Sequence, residues 1–478
     1  MAKTDYLEIM RNGGSLDVRQ QLFMTAQLSI PAILAQISTV IMEYIDASMV
    51  GRLGAGASAA IGLVSSTTWL FGGLIAASSM GFTVQVAHRI GAGDGKGARG
   101  IVKHGLSAVI LISGIVMLLG LTIGGFLPAW LGGDEAIRND ASAYFRIFAL
   151  MAPAMAVRYT SGGMLQGSGN MKVPGMLNIM ECVLDVVFNF FLIFPTRKIN
   201  LSGISISCPG AGLGVTGAAL GTGLSEVVCA GFMLYFLLGR SKELHLRKGE
   251  RHVFEWKEMT TAARISVPIA VENAISGTAY VAVTRIISPL GTIALAAHSF
   301  GITAEGLCYM PGYGISSAAT TMIGQSIGAG RSDMTKKLAW ISVGLGMLVM
   351  TGTGVLMYVF APQMIGILTP DPEIRALGAR VLRIEAFAEP MFAASIVASG
   401  VFRGAGDTLV PAIMNFVSMW VVRITLASFL APKYGLPGMW TAMCIELWFR
   451  GMIFLIRLFI KTKSGFAVRG KSKKDDRF

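Results

Sequence analysis

"LQGSGNMKVPGMLN", residues 165–178, returns 237 positions later as "FRGAGDTLVPAIMN", residues 402–415. Two further stretches repeat at the same offset without a gap: "LSIPAIL" at 28–34 with "ISVPIAV" at 265–271, and "IGAGDGKGAR" at 90–99 with "IGAGRSDMTK" at 327–336. Asp134, Pro153 and Asn178 meet Asp371, Pro390 and Asn415 in that register. It shifts only near residue 200, where "PTRKINLSGISISCPGAG" forms a longer loop in the first half. Such a repeat predicts two copies of one structural unit.

The unit belongs in a membrane. The 478 residues are 53% hydrophobic and only 14% charged, with a mean hydropathy of +0.62, whereas soluble domains carry about 25% charged residues. Apolar runs long enough to cross a bilayer, about 20 residues each, are expected at 22–50, 57–86, 104–128, 141–165, 173–195, 211–238, 262–288, 295–323, 338–361, 376–402, 408–430 and 435–460. The fold class is therefore all-α integral membrane, with twelve transmembrane helices in two six-helix lobes related by a parallel internal repeat. The boundaries expected are 1–238 for the N-terminal lobe, 239–261 for an inter-lobe linker, 262–460 for the C-terminal lobe and 461–478 for a basic tail.

One set of loops collects most of the basic residues: Arg89, Lys96, Arg99 and Lys103; Arg240, Lys242, Arg247, Lys248, Arg251 and Lys257; Arg331, Lys336 and Lys337; and the tail from Lys461. The positive-inside rule then puts both termini in the cytoplasm, and the membrane expected is the plasma membrane of a bacterial or archaeal cell. Topology and anionic membrane lipids account for the net charge of +13, so nucleic acid is not an expected partner. The cysteines show no ligand or disulfide spacing. The first apolar run is too long, and its flank too charged, for a cleavable signal peptide, so the first helix is expected to stay.

Duplicated six-helix halves in one orientation are a transporter architecture, with a cavity between the lobes that can open to alternate sides. The glycine-rich "GAGDGKGA" at 91–98 lacks the Ser or Thr after Lys96 that a phosphate loop needs, and reads as a tight turn between spans. No catalytic constellation or cofactor motif appears. Energy is expected to come from an ion gradient.

Ionisable residues inside the spans are expensive, about 2.5–3.5 kcal/mol each on insertion scales, and mark function by default. In the first half they are Glu43, Asp46, Arg158, Glu181, Asp185 and Glu226; in the second, Glu272, Arg285, Glu305, Glu385, Glu389, Arg423, Glu446 and Arg450. Glu181 and Asp185 share a helical face, as do Glu43 and Asp46. If spans one and five face each other, these four acids converge, as proton carriers or as an oxygen-rich Na⁺ site. The alternative is a structural one, in which they pair with Arg158 and hold helices together. Glu226 and Glu446 fall at equivalent places in the two halves and suggest packing, and His298 is expected to be a satisfied helix-end residue. The roles of Glu272, Glu305 and Glu389 stay open.

The twelve-span repeat, together with "YIDASMVGRLG" at 44–54, "RIISPLG" at 285–291, "IGQSIGAG" at 323–330 and "FRGAGDTLVP" at 402–411, resembles the multidrug and toxic compound extrusion family of antiporters over about residues 20–460. Its DinF-like branch implies a cation site made by an Asp in the first span, an Asn-x-x-x-Asp pair in the fifth and a Thr in the sixth. Asp46, Asp185 and Thr222 match, while Glu181 stands where that branch has Asn. Glu43, Arg158 and Asn178 are secondary candidates. The NorM-like branch uses acids in spans seven and ten, whose matching positions here are Ser276 and Phe392. The resemblance implies a secondary antiporter exporting amphipathic organic cations in exchange for H⁺ or Na⁺; a monomer without a cofactor is expected. A lipid-linked precursor flippase and a non-transporting membrane receptor or assembly factor are the alternatives.

Overall fold

The computed structural model of the protein describes residues 5–201, 204–247, 250 and 255–466. Lys248, Arg251 and the tail from residue 467 lie outside the described residues. A short helix, α1 (Tyr6–Arg11), precedes the spans. The first half then runs α2 (Val18–Gly51), α3 (Ala55–Gly91), α4 (Gly95–Ile123), a single turn α5 (Leu127–Trp130), α6 (Glu135–Leu150), α7 (Ala152–Gly167), α8 (Lys172–Ile193) and α9 (Gly214–Tyr235). The second half runs α10 (Trp256–Ile287), α11 (Thr292–Gly328), α12 (Ser332–Leu368), α13 (Pro372–Glu385), α14 (Glu389–Gly404), α15 (Leu409–Phe416) and α16 (Ile424–Ser464).

These helices supply the twelve spans with local refinements. The fourth and tenth spans are each two helices in series, α6 with α7 and α13 with α14, because Pro153 and Pro390 open the second helix of each pair, where a missing N–H costs nothing. The eleventh and twelfth are joined within α16 by a break at Gly435, whose φ of 64° belongs to the left-handed region glycine favours. The long loop near residue 200 is a hairpin, β1 (Pro195–Leu201) against β2 (Ile204–Ala211), antiparallel with Lys198 opposite Ser207. Alternation of Ile199, Leu201, Ile204 and Ile206 with polar residues suits a strand rather than a helix.

The repeat is visible in the caps. Asp134 and Asp371 each accept backbone N–H bonds at the start of α6 and α13, and Gly54 and Gly291 open α3 and α11 with nearly the same backbone angles. Pro31 and Pro268 lie inside α2 and α10 at matching positions.

Large apolar side chains such as Leu111, Leu118, Leu348, Val359 and Ile456 are exposed, as a surface solvated by lipid tails requires. Among the described residues, six helices carry an apolar stretch sufficient by itself to span a bilayer: α2, α3, α4, α8, α9 and α12. The halves interlock through two pairings related by the repeat, α2 on α11 and α10 on α3. At the end where α1 and the last turns of α16 lie, Leu7, Met10, Met24 and Leu28 enter one core with Ile315, Met322, Val397, Phe402 and Phe454 of the second half.

Candidate functional site

Within the first half, α8 packs between α2 and α9, and this sandwich gathers the polar residues of the three helices. Asp185 faces α2 from the middle of α8 and is completely buried, whereas Asp46 on α2 is half-buried. The two carboxyl groups are direct neighbours, and Thr222 of α9 lies against Asp185. Asn189, one turn beyond Asp185, is 1% exposed; its Nδ2 donates to Asp46 Oδ1 at 2.9 Å and to Asp185 Oδ2 at 3.1 Å. Tyr144 of α6 is near both acids.

Glu181 sits one turn the other way on α8 and meets different partners. Arg158 of α7 holds it at 3.2 Å and donates through Nε to Glu226 of α9 at 2.6 Å, with Asn178 at 3.4 Å from the same guanidinium. The guanidinium also stacks over Tyr159. The structure therefore divides the expected set. Asp46, Asp185 and Thr222 come together, while Glu181 joins Arg158, Asn178 and Glu226 in an ion-pair cluster. Glu43 remains exposed on α2, within electrostatic reach of Tyr309 on α11.

Sequence reasoning passed over Asn189. Its signal was present in "DVVFN", residues 185–189, since four residues separate it from Asp185 and place it on the same helical face. For a cation the pocket offers carboxylate oxygens of Asp46 and Asp185 with the Thr222 hydroxyl. Asp185 Oδ1 lacks any hydrogen-bond donor. That donor set is chemically suited to a hard cation or a proton, although two N–H groups of Asn189 already address the facing oxygens.

The second half is built differently at the corresponding depth. Glu446 is fully buried between Arg423, whose Nη2 and Nε approach at 2.6 and 2.9 Å, and Arg450, whose Nε approaches at 2.7 Å; the Ser418 hydroxyl also donates to it. Ser276 lies 3.7 Å from the Met419 sulfur, and Phe392 packs edge-on to Tyr309. Neither position is acidic. Yet Glu305, Glu385 and Glu389, at 4%, 1% and 1% exposure, form a neighbouring group in the same half, and neither oxygen of Glu385 or Glu389 has a hydrogen-bond partner. Glu272 accepts from Asn415 at 2.5 Å.

The reading of His298 as a satisfied helix-end residue is corrected. Because α11 begins at Thr292, His298 lies in its second turn, buried edge-on against Trp440, and its Nδ1 has no partner.

Comparison with known proteins agrees with this architecture. The solved structures it resembles include a crystal structure of MATE in complex with MaL6, at 19% identity and a TM-score of 0.87 over 97% of this chain and 99% of that one. Another is the Vibrio cholerae MATE transporter VcmN in mutant form, at 18% identity and a TM-score of 0.84 over 94% and 98%. By sequence, the chain is 27% identical to a probable multidrug resistance protein NorM of Thermotoga maritima, over 92% of each chain. It is 26% identical to the protein of the same name from Idiomarina loihiensis, over 91% of this chain and 93% of that one. The MatE family model matches residues 31–191 and again 268–429, one match in each half. A family signature that covers both halves of the repeat, on a twelve-span helical frame, shows that the chain belongs to the MatE family of transporters.

Proposed function

We propose that the protein is a secondary antiporter that exports amphipathic organic cations in exchange for inward H⁺ or Na⁺. The observation that carries this reading is the meeting of Asp46 and Asp185 from two different helices at the α2–α8 contact of the first lobe. Two carboxylates there repel unless a cation neutralises them. Binding of the coupling ion then favours one packing of α2 against α8, and a substrate favouring the other packing is released by ordinary linkage. The names of the sequence relatives, multidrug resistance proteins, support the substrate class.

The substrate path lies between the lobes. Tyr280 and Tyr313 keep 47% and 37% of their surface accessible although α10 and α11 are inner helices that meet α3 and α2 of the other lobe. With Glu272 in electrostatic reach of Tyr313, and Glu43 in reach of the adjoining Tyr309, such rings suit a cationic aromatic ligand. The flippase alternative needs free buried cations for a pyrophosphate, whereas Arg158, Arg423 and Arg450 are each committed to a glutamate. The lobes would be 1–238 and 262–460, with both termini cytoplasmic and the protein a monomer in the plasma membrane.

The test is efflux of ethidium from proteoliposomes, driven separately by a pH gradient and by a Na⁺ gradient, with Asp46→Asn and Asp185→Asn beside the wild type. Both variants should fold and lose gradient-driven efflux. Full activity in either overturns the first-lobe site. A second reading places coupling at Glu305, Glu385 and Glu389, favoured by the unpartnered oxygens of the latter two; it predicts that Glu389→Gln, rather than Asp185→Asn, is the inactive variant.

A further inference from the structure

Asn189 is a strange residue to bury in an apolar helix unless its amide has a fixed task. It is 1% exposed, and its two N–H groups are divided between two helices, one to Asp46 Oδ1 on α2 and one to Asp185 Oδ2 on α8. The amide oxygen has no donor. It is pressed instead against α9, where a Cβ built on Gly221 would fall 2.1 Å from Asn189 Oδ1 and 3.0 Å from its Cγ. No side chain fits between them. Turning the amide over would aim its oxygen at two carboxylates, so the neighbours alone fix which way it points.

We infer that Asn189 is the positioning residue of the cation site: seated by Gly221, its amide holds the Asp46 and Asp185 carboxylates at a set separation and ties α2 to α8 and α9. The inference rests on reading Asp46 and Asp185 as that site. Asn189 does not itself bind the ion in this role. Its hydrogen bonds offset the repulsion between the two acids and spare the site the reorganisation that would otherwise accompany each binding event. Gly221 belongs to the same device, because any larger residue at its position drives the amide out of line.

The experiment is ethidium efflux from proteoliposomes under graded pH or Na⁺ gradients, using whichever drives the wild type, for Asn189→Ala, Gly221→Ala, the double variant and Asp185→Asn. Asn189→Ala should shift the half-saturating concentration of the driving cation by about tenfold or more with the maximal rate changed little: downward for H⁺, because the donors it removes favour the ionised carboxylates, and upward for Na⁺, because the carboxylates are no longer held at a set separation. Gly221→Ala should do the same. The double variant should stay close to either single one rather than multiply their effects, because both act through the one amide; the approach of a 221 Cβ to the backbone N of residue 189, at 3.0 Å, is common to Gly221→Ala and the double variant. Asn189→Ser, which keeps one donor of two, should fall between wild type and Asn189→Ala and serves if the alanine variant does not fold. Multiplied effects in the double variant, or an unchanged half-saturation in Asn189→Ala while Asp185→Asn is dead, overturn the inference and leave the site standing. An active Asp185→Asn overturns the site, and the inference with it.

Discussion

His88 and Gln325 stand at the same position of the two halves, and each reaches into the other half for the same backbone atom. His88 Nε2 lies 2.8 Å from the carbonyl oxygen of Gly404, and Gln325 Nε2 donates at 2.8 Å to that of Gly167. Gly167 and Gly404 are themselves related by the repeat. The pair closes the lobes against each other at the end where α1 and the last turns of α16 lie, and Ser317 and Thr321 add bonds to Gln166 beside it. A route that opens at this end has to break both symmetry-related bonds.

Removing one of them should therefore bias the protein towards opening there. His88→Ala and Gln325→Ala each delete about 0.5–1.5 kcal/mol of net hydrogen bonding. Spin labels at the exposed positions 96 and 337, on opposite halves, should show a population at longer distance that grows in each variant and grows further in the double one. Unchanged distance distributions would show that these bonds do not hold the closed state.

A methyl group at the crossing should act more strongly than a lost hydrogen bond. A Cβ on Gly91 would meet the backbone oxygen of Gln325 at 2.1 Å, and one on Gly328 would meet that of His88 at 2.1 Å. Backbone atoms cannot step aside as a flexible side chain can. Gly328→Ala should hold the ends of α3 and α11 apart, seen as a wider label distance and slower efflux with little change in protein yield. The mirror variant Gly91→Ala should behave alike.

Arg158 neutralises two buried acids, so its loss should be costly. Arg158→Leu leaves Glu181 and Glu226 without their partner, which destabilises by about 3–5 kcal/mol and should lower the apparent unfolding temperature in detergent. Replacing Glu181 alone with Gln leaves Arg158 its 2.6 Å bond to Glu226 and should cost far less. A similar loss in both variants would mean the cluster acts as one unit.

Glu385 and Glu389 have no donors to lose. Glu385→Gln and Glu389→Gln, read by the same unfolding measurement, should be neutral or stabilising, because an unpaired buried acid contributes nothing a neutral amide cannot. Glu446→Gln should do the reverse, since Arg423 and Arg450 then face each other without their shared counter-charge.

The order of elements was legible along the chain because hydrophobic length and the 237-residue repeat are local and periodic properties. They set twelve spans and the parallel lobes and pair Asp134 with Asp371 without any knowledge of packing; that the pair caps two helices is seen in the structure. The same holds for the shared helical face of Glu181 and Asp185, which follows from a spacing of four. What spacing could not say is which neighbour each meets. One turn of helix is about 5.4 Å, enough to carry Glu181 to Arg158 on α7 and leave Asp185 against Asp46 on α2. Asn189 escaped notice for the same reason: an amide in an apolar helix has no meaning until two carboxylates and a glycine from three helices surround it. The reach of His88 and Gln325 into opposite halves likewise depends on how the lobes dock. Side-chain chemistry and periodicity are written in the chain, but the partners that give each polar group its task come from helices far apart in sequence, and only tertiary packing brings them together.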